Sequence, residues 1–308
     1  MLSKNRFFHR LMATLVIFLS WPLSAAFSEQ LTFVFQEGVD GYTGYEDTTI
    51  FAGPTGNSGG GTDGIFSGTI AVLEIRRALI RCDLSSIPQG ASVLSASLDL
   101  TVVRARTDAP DTGFGQGVGQ YRIHTVAHSW GEGSVVGSSQ GGNGAAAQSG
   151  DATWTSRFFQ QTLWDTPGGD FATTASAEAL AAGDGSVATW SSAAMAGDVQ
   201  AWLDDPTSNF GWIIIAASEG TAPQDVKKFG SSEAGAASRR PKLTVVVDVP
   251  VFDPEDIDHN GAVNAIDIQF VINAALGLDI GARSADVNND NGVNALDIQL
   301  VINAALGL

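Results

Sequence analysis

Val93-Leu94-Ser95-Ala96-Ser97-Leu98-Asp99-Leu100-Thr101-Val102-Val103 sets the fold class, because apolar and polar side chains alternate through its centre. Successive side chains of a strand point to opposite sides. Leu94, Ala96, Leu98 and Leu100 therefore share one face, and Ser95, Ser97, Asp99 and Thr101 the other. One dry face and one wet face mark an antiparallel sandwich. Further strand-like runs lie on both sides: Leu31 to Gln36, Arg77 to Leu84 and Gln120 to Val126, then Phe210 to Ala217, Val226 to Phe229 and Lys242 to Asp248. Glycine and serine clusters separate them, and Gly53 to Gly68 and Gly131 to Gly150 read as long surface loops. One helix interrupts the strands, with Val199, Trp202 and Leu203 at i, i+3 and i+4 and Pro206 as its stop. Residues 27–248 read as one mainly β domain, a jelly-roll-like antiparallel β-sandwich with ample length for a single core.

Ahead of this domain, Lys4, Arg6 and Arg10 precede the apolar run Leu11 to Leu19. Pro22 ends the run, and Ser24-Ala25-Ala26 supplies small residues for cleavage. That is the layout of a secretory signal peptide over residues 1–26. The run falls short of the roughly 20 residues that span a bilayer, so the expectation is a secreted, extracellular chain without membrane insertion. The chain holds 16 Lys+Arg against 33 Asp+Glu, a net charge of −17. Loss of three basic residues with the leader takes this to −20 (−17 − 3). A surface of that sign repels nucleic acid and anionic membranes, and neither is expected as a partner. Cys82 is the single cysteine, alternating with charged residues beside Ile80 and Leu84, and reads as a small buried hydrophobe. Stability must then come from the core and from metal.

The carboxylates are concentrated at the C-terminal end. Asp253 to Leu308 holds nine acids and one base, Arg283. Pro250 and Pro254 punctuate a short linker at 249–253, and residues 254–308 carry a repeat of period 30. Within it Asn264 to Leu278 matches Asn294 to Leu308 at 13 of 15 positions. An oxygen-rich loop leads into each copy. Asp256, Asp258, Asn260, Asn264 and Asp267 occupy positions 1, 3, 5, 9 and 12 of the first loop. Asp286, Asn288, Asp290, Asn294 and Asp297 occupy the same positions of the second. This is the EF-hand spacing, in which alternate side chains surround one calcium ion and position 7 adds a backbone carbonyl, here from Ala262 and Gly292. Two Ca2+ ions are expected. Gly261 supplies the permissive backbone that position six requires. Asn291 stands there in the second loop and tolerates left-handed geometry better than most residues, which predicts a weaker second site. A helix follows each loop. Ile268, Val271, Ile272, Ala275 and Leu276 form one apolar stripe, repeated by Ile298, Val301, Ile302, Ala305 and Leu306, and the stripes are expected to pack on each other.

The two ligand registers, each closed by Asp rather than Glu at position twelve (Asp267, Asp297), resemble those of type I dockerin domains over residues 254–308. The resemblance implies a small all-α domain that docks onto a cohesin-like protein domain. It also implies that loop positions ten and eleven help read the partner. Here these are Ala265-Ile266 and Ala295-Leu296 where the family often has Ser-Thr, and together with Phe270 and Leu300 they predict a drier contact. The β domain resembles DNRLRE-type domains, which include carbohydrate-binding modules. The strings that carry this are Arg77 to Pro88, His128-Ser129-Trp130-Gly131-Glu132-Gly133, Asn209-Phe210-Gly211-Trp212, Phe229 to Glu233 and Arg240 to Leu243. This resemblance implies a sandwich and an extracellular polysaccharide as the ligand class. It departs at Cys82, where the family usually has an aromatic.

Catalysis finds little support in the sequence. No nucleophile elbow or zinc motif occurs. His124 and His128 are four apart on a strand, a separation of about 13 Å, too far for one ion. Asp99, Glu132, Asp165, Asp170 and Asp184 show no spacing that marks an acid and a base. Trp164, followed by a turn from Asp165 to Asp170, is the candidate for stacking on a sugar, while Trp130, Trp202 and Trp212 read as core. The expected function is that of a secreted, non-catalytic accessory protein in polysaccharide binding or degradation. Two alternatives stand beside it: a structural or adhesive surface protein, and a polysaccharide hydrolase or lyase. The tail affords the first test. Nine acids in a short segment repel one another unless a divalent cation sits among them, and the helix stripes bury little surface. Residues 250–308 made alone are expected to be unfolded in chelator and helical in calcium by circular dichroism. Equal helicity in both would overturn the calcium reading.

Overall fold

The structure is a computed structural model that describes residues 27–70, 72–106, 117–137, 142–221 and 224–308; the signal peptide read at 1–26 lies outside them. Two compact units result, one of Ser28–Pro250 and one holding Val251–Leu308.

Among the described residues, eleven strands make the main sheet of the first unit: β1 (Phe27–Gln36), β2 (Tyr45–Phe51), β3 (Gly64–Thr69), β4 (Ile75–Cys82), β5 (Ser92–Ala105), β6 (Gly119–Thr125), β7 (Ala177–Ala181), β8 (Val187–Ser191), β9 (Trp212–Ala216), β10 (Lys227–Gly230) and β11 (Lys242–Val251). They form one large curled antiparallel sheet in the order β1-β11-β5-β10-β3-β4-β9-β6-β7, with β2 added to β4 and β8 to β5. The inner face holds the main core, which draws Ala78 and Ile80 from β4, Leu98 and Leu100 from β5, Tyr121 and Ile123 from β6 and Val245 from β11. Trp190 lies within it, its indole N–H donating to the Tyr121 carbonyl at 2.9 Å and its ring set edge-on to Phe229 at 5.9 Å. Helix α1 (Ala193–Asp204) closes one side. Ser192 caps it by accepting the Met195 N–H, and Met195, Val199 and Trp202 point into the core.

Strand β4 departs from the one-dry-face expectation. Its even positions Ala78, Ile80 and Cys82 enter the main core, while Leu79 joins a second cluster with Ile50, Trp130, Trp164 and Ile213. Both faces of β4 are therefore dry. The Cys82 thiol is buried, and burial pushes its pKa up to about 12, which suits an inert packing role.

Two further departures have local causes. Leu94 is 47% exposed instead of buried. Val246 pairs with Ser95 and Val247 with Val93, so Leu94 is the extra residue of a bulge that reverses the side-chain parity. The reading of Gly53 to Gly68 as a surface loop also fails at its end, because Gly64–Thr69 is a wholly buried strand. A Cβ on Gly64 would lie 2.6 Å from the Phe229 carbonyl oxygen, so glycine here permits close strand approach.

In the second unit, α2 (Ala265–Ala275) and α3 (Ala295–Ala305) pack together over Ile257, Val271, Ala285, Val287 and Val301. The expected stripes hold at Ile268, Val271, Ile298 and Val301 but not at their ends. Leu276 and Leu306 are 71% and 67% exposed, because each is the helix C-cap and Gly277 and Gly307 turn the chain away at φ 74° and 69°. Phe270 and Leu300, expected to lie off the stripe, are half-buried against this core instead, with the Arg283 guanidinium 4.6 Å from the Phe270 ring.

Trp190→Ala should lower the stability of the β unit by about 3–5 kcal/mol, the usual cost of deleting a buried aromatic. Urea denaturation followed by tryptophan fluorescence measures this directly.

Candidate metal centre and binding surfaces

Each tail loop is shaped by its own side-chain oxygens. Asp256 accepts the Asn260 N–H at 3.2 Å and the Gly261 N–H at 2.8 Å, one on each carboxylate oxygen. Asp258 accepts the Asn260 N–H at 3.1 Å, and Asn260 accepts the Ala262 N–H at 3.0 Å. The second loop repeats the pattern: Asp286 accepts the N–H groups of Asp290 and Asn291, Asn288 also accepts that of Asp290, and Asp290 accepts that of Gly292. These bonds curl the backbone around the oxygens, so the sequence spacing becomes a concave surface of like groups.

The twelfth position closes each loop from the helix. Asn264 and Asn294 are N-caps, and Asp267 and Asp297 complete a capping box with them. Asp267 accepts the Asp258 N–H at 3.1 Å and the Asn264 N–H at 2.8 Å, tying the start of the loop to the start of the helix. Asp297 does the same for Asn288 and Asn294 at 3.3 Å and 2.8 Å. Burial alone would raise the Asp297 carboxyl, but the N–H groups of Asn294, Asn288 and Val287 outweigh it and hold the carboxyl below the usual range. Both residues are fully buried.

Carboxylate oxygens of Asp256, Asp258 and Asp267 lie within 4.8 Å of one another, and no ion pair neutralises them among the described residues. Two oxygens that share one calcium at about 2.4 Å are at most about 4.8 Å apart, so this gathering fits that ion. The donor set is all oxygen, which suits a hard cation and disfavours zinc.

Residues 254–306 match the dockerin type I domain. No curated protein matches the chain. Type I dockerin domains bind calcium and dock onto cohesins, so the match supports a calcium-dependent assembly role for this segment. The dockerin segment places Ala265, Ile266, Ala295 and Leu296 at the solvent-facing start of its helices, with Ile266 52% and Leu296 53% exposed. Asn291 adopts φ 70° where Gly261 adopts 86°, as position six demands. His259 and Asn289, at position four, are left-handed too at 58° and 55°. The loop periodicity carried no signal for that second turn.

The β unit corrects the sugar candidate. Trp164 is 4% exposed, sits in the outer cluster and donates its indole N–H to the Thr153 carbonyl at 2.9 Å. Trp130, Trp202 and Trp212 are buried as read. The turn after Trp164 does reach solvent, but the indole points back under the loop against the outer face of β4 and β9. Arg77 anchors that cover, bonding Glu219 at 2.9 and 2.5 Å and Gly168 at 2.7 Å while stacking on Trp154 and Phe171. His124 is buried on β6, where its Nδ1 meets the Ala172 carbonyl at 2.8 Å. His128 turns instead toward Asp165 and Asp170 on the surface turn. Of the other carboxylates, Asp99 pairs with Lys242 on β11 and Asp184 caps the Ala105 N–H.

A cleft of about 420 Å³ opens on this unit, lined among others by Phe66, Arg104, Arg106, Asn143, Gln224 and Lys228. Its basic lining contrasts with the net charge of −17. Trp164→Ala should cost about 3–5 kcal/mol of stability, as core aromatics do. A melting curve unchanged from the parent would return Trp164 to the surface.

Proposed function

We propose that the chain is a secreted, non-catalytic binding protein in which the tail docks onto a cohesin-like domain in calcium and the β unit binds an extracellular glycan. The duplicated oxygen register, matched bond for bond in the two loops, is the observation that carries the docking half. In this reading Asp256, Asp258, Asn260, Asn264 and Asp267, with the Ala262 carbonyl, hold one ion. Asp286, Asn288, Asp290, Asn294 and Asp297, with the Gly292 carbonyl, hold the second. Calcium supplies the positive charge that lets these oxygens stay close, and the loops then hold both helices in a fixed pose. Ala265, Ile266, Ala295 and Leu296 are the exposed apolar side chains offered to the partner, with the half-buried Phe270 and Leu300 further along the same helices.

The glycan half rests on the cleft. Its volume suits a small ligand or a few sugar rings. Guanidinium and amide groups around an apolar floor offer donors for hydroxyls and carboxylates, so an acidic polysaccharide is favoured. The adhesive and hydrolytic alternatives separate from this reading on a glycan array combined with a reducing-sugar assay on the same ligands.

Two outcomes are expected. Ile266→Asp with Leu296→Asp should weaken binding to a cohesin domain roughly a hundredfold or more in calorimetry, the scale of losing two central contacts. The same variant should retain both calcium-binding events. Arg104→Ala with Lys228→Ala should abolish retention on acidic polysaccharide in affinity electrophoresis, and unchanged retention would exclude the cleft.

A further inference from the structure

A second gathering of carboxylates lies in the β unit, far in sequence from the tail. Asp47 is on β2, Glu132 follows Trp130 in the segment after β6, and Glu233 follows β10. One oxygen from each lies within 4.8 Å of the others. The three come from separate parts of the chain, so the fold alone brings them together.

Hydrogen bonds hold each in place. Asp47 Oδ2 accepts the Ser232 N–H at 2.7 Å, Glu132 Oε1 accepts the Asp47 N–H at 2.8 Å, and Glu233 Oε1 accepts the Ser232 hydroxyl at 2.9 Å. The remaining oxygen of Asp47, Oδ1, is different. Asp47 is 0% exposed, and Oδ1 has no hydrogen-bond partner. A buried acceptor left unmade carries its full desolvation penalty, heaviest for a charged group. The arginine on the paired strand β4 leaves that oxygen unpartnered. Arg81 is spent on Glu46 at 2.5 Å and on the Trp130 ring at 5.1 Å.

The geometry points to a calcium site in the β unit, formed by Asp47, Glu132 and Glu233, with the unpartnered Asp47 oxygen as its innermost ligand. The donors are oxygens only, with no imidazole or thiolate among them, which suits a hard cation and disfavours zinc. Calcium accepts an irregular shell of six to eight oxygens, so waters at the exposed Glu233 side can complete it, whereas magnesium demands a near-ideal octahedron. Without a cation the cluster is electrostatically unfavourable. Bound calcium would clamp β2 to two loops, including the one that buries Trp164.

The test uses the full chain with Asp256, Asp267, Asp286 and Asp297 all changed to alanine, so that the tail loops are silent. Titration with calcium chloride in a calorimeter should show one ion bound per chain, and the melting temperature of the β unit should rise in calcium relative to chelator. Asp47→Asn in this background should remove both effects. Glu233→Gln, at an exposed position that leaves the core intact, should weaken binding about tenfold or more, because affinity follows the ligand charge count. A tail-silenced chain that binds no calcium and melts identically in calcium and chelator would overturn the site. So would calcium binding that Glu233→Gln and Glu132→Gln both leave unchanged. The tail reading is tested separately by its own loops, so either can fail alone.

Discussion

Strand β4 is buried on both faces, and the β unit is organised around that constraint. Ala78, Ile80 and Cys82 face the inner core, while Leu79 faces an outer cluster. Between them Arg77 and Arg81 also leave the strand on the outer side, where a charged group needs partners. Their guanidinium planes stack on Trp154, Phe171 and Trp130, and their charges meet Glu219 and Glu46. A long irregular segment is thereby drawn over the sheet, and Trp164 is carried under it. The curled sheet has no disulfide to brace it, since Cys82 is the single cysteine. Arginine stacking and aromatic packing take that part.

The tail solves a different problem. Its core is small, centred on Val271 and Val301, and its carboxylates repel one another. The chain answers by giving every side-chain ligand residue of the loops a backbone N–H to hold, which shapes the loop, and by leaving a cluster of negative charge for a cation. Small domains of this size commonly rely on metal for the remainder of their stability. The capping boxes at Asn264 and Asn294 join the two devices, because Asp267 and Asp297 serve the helix and the loop together.

The tail was readable in advance because its chemistry is local. Ligands within twelve consecutive residues keep their spacing whatever surrounds them, and even the left-handed Asn291 could be anticipated from its place opposite Gly261. Strand identity was readable for the same reason. Leu98 and Leu100 kept their face, but Leu94 lost it to a single bulge, which no alternation pattern reveals. Strands such as Tyr45–Phe51 and Gly64–Thr69 escaped notice because one mixes buried Asp and Thr with apolar residues and the other is rich in glycine.

Sequence by itself determined the mainly β class, the duplicated calcium-type loops and the dockerin resemblance, all consequences of periodicities within a few turns of chain. Tertiary structure alone decided what is inside and what converges. Trp164 looked like a surface aromatic because its neighbours form a polar turn, yet the outer face of β4 needed a cover and took it. Asp47, Glu132 and Glu233 carried no shared signal, since 186 residues separate the first from the last (233 − 47). Only the pairing of β2 with β4, and the return of two loops to that edge, sets their oxygens within 4.8 Å. Local spacing encodes elements and loops, whereas burial and long-range convergence depend on how those elements are stacked.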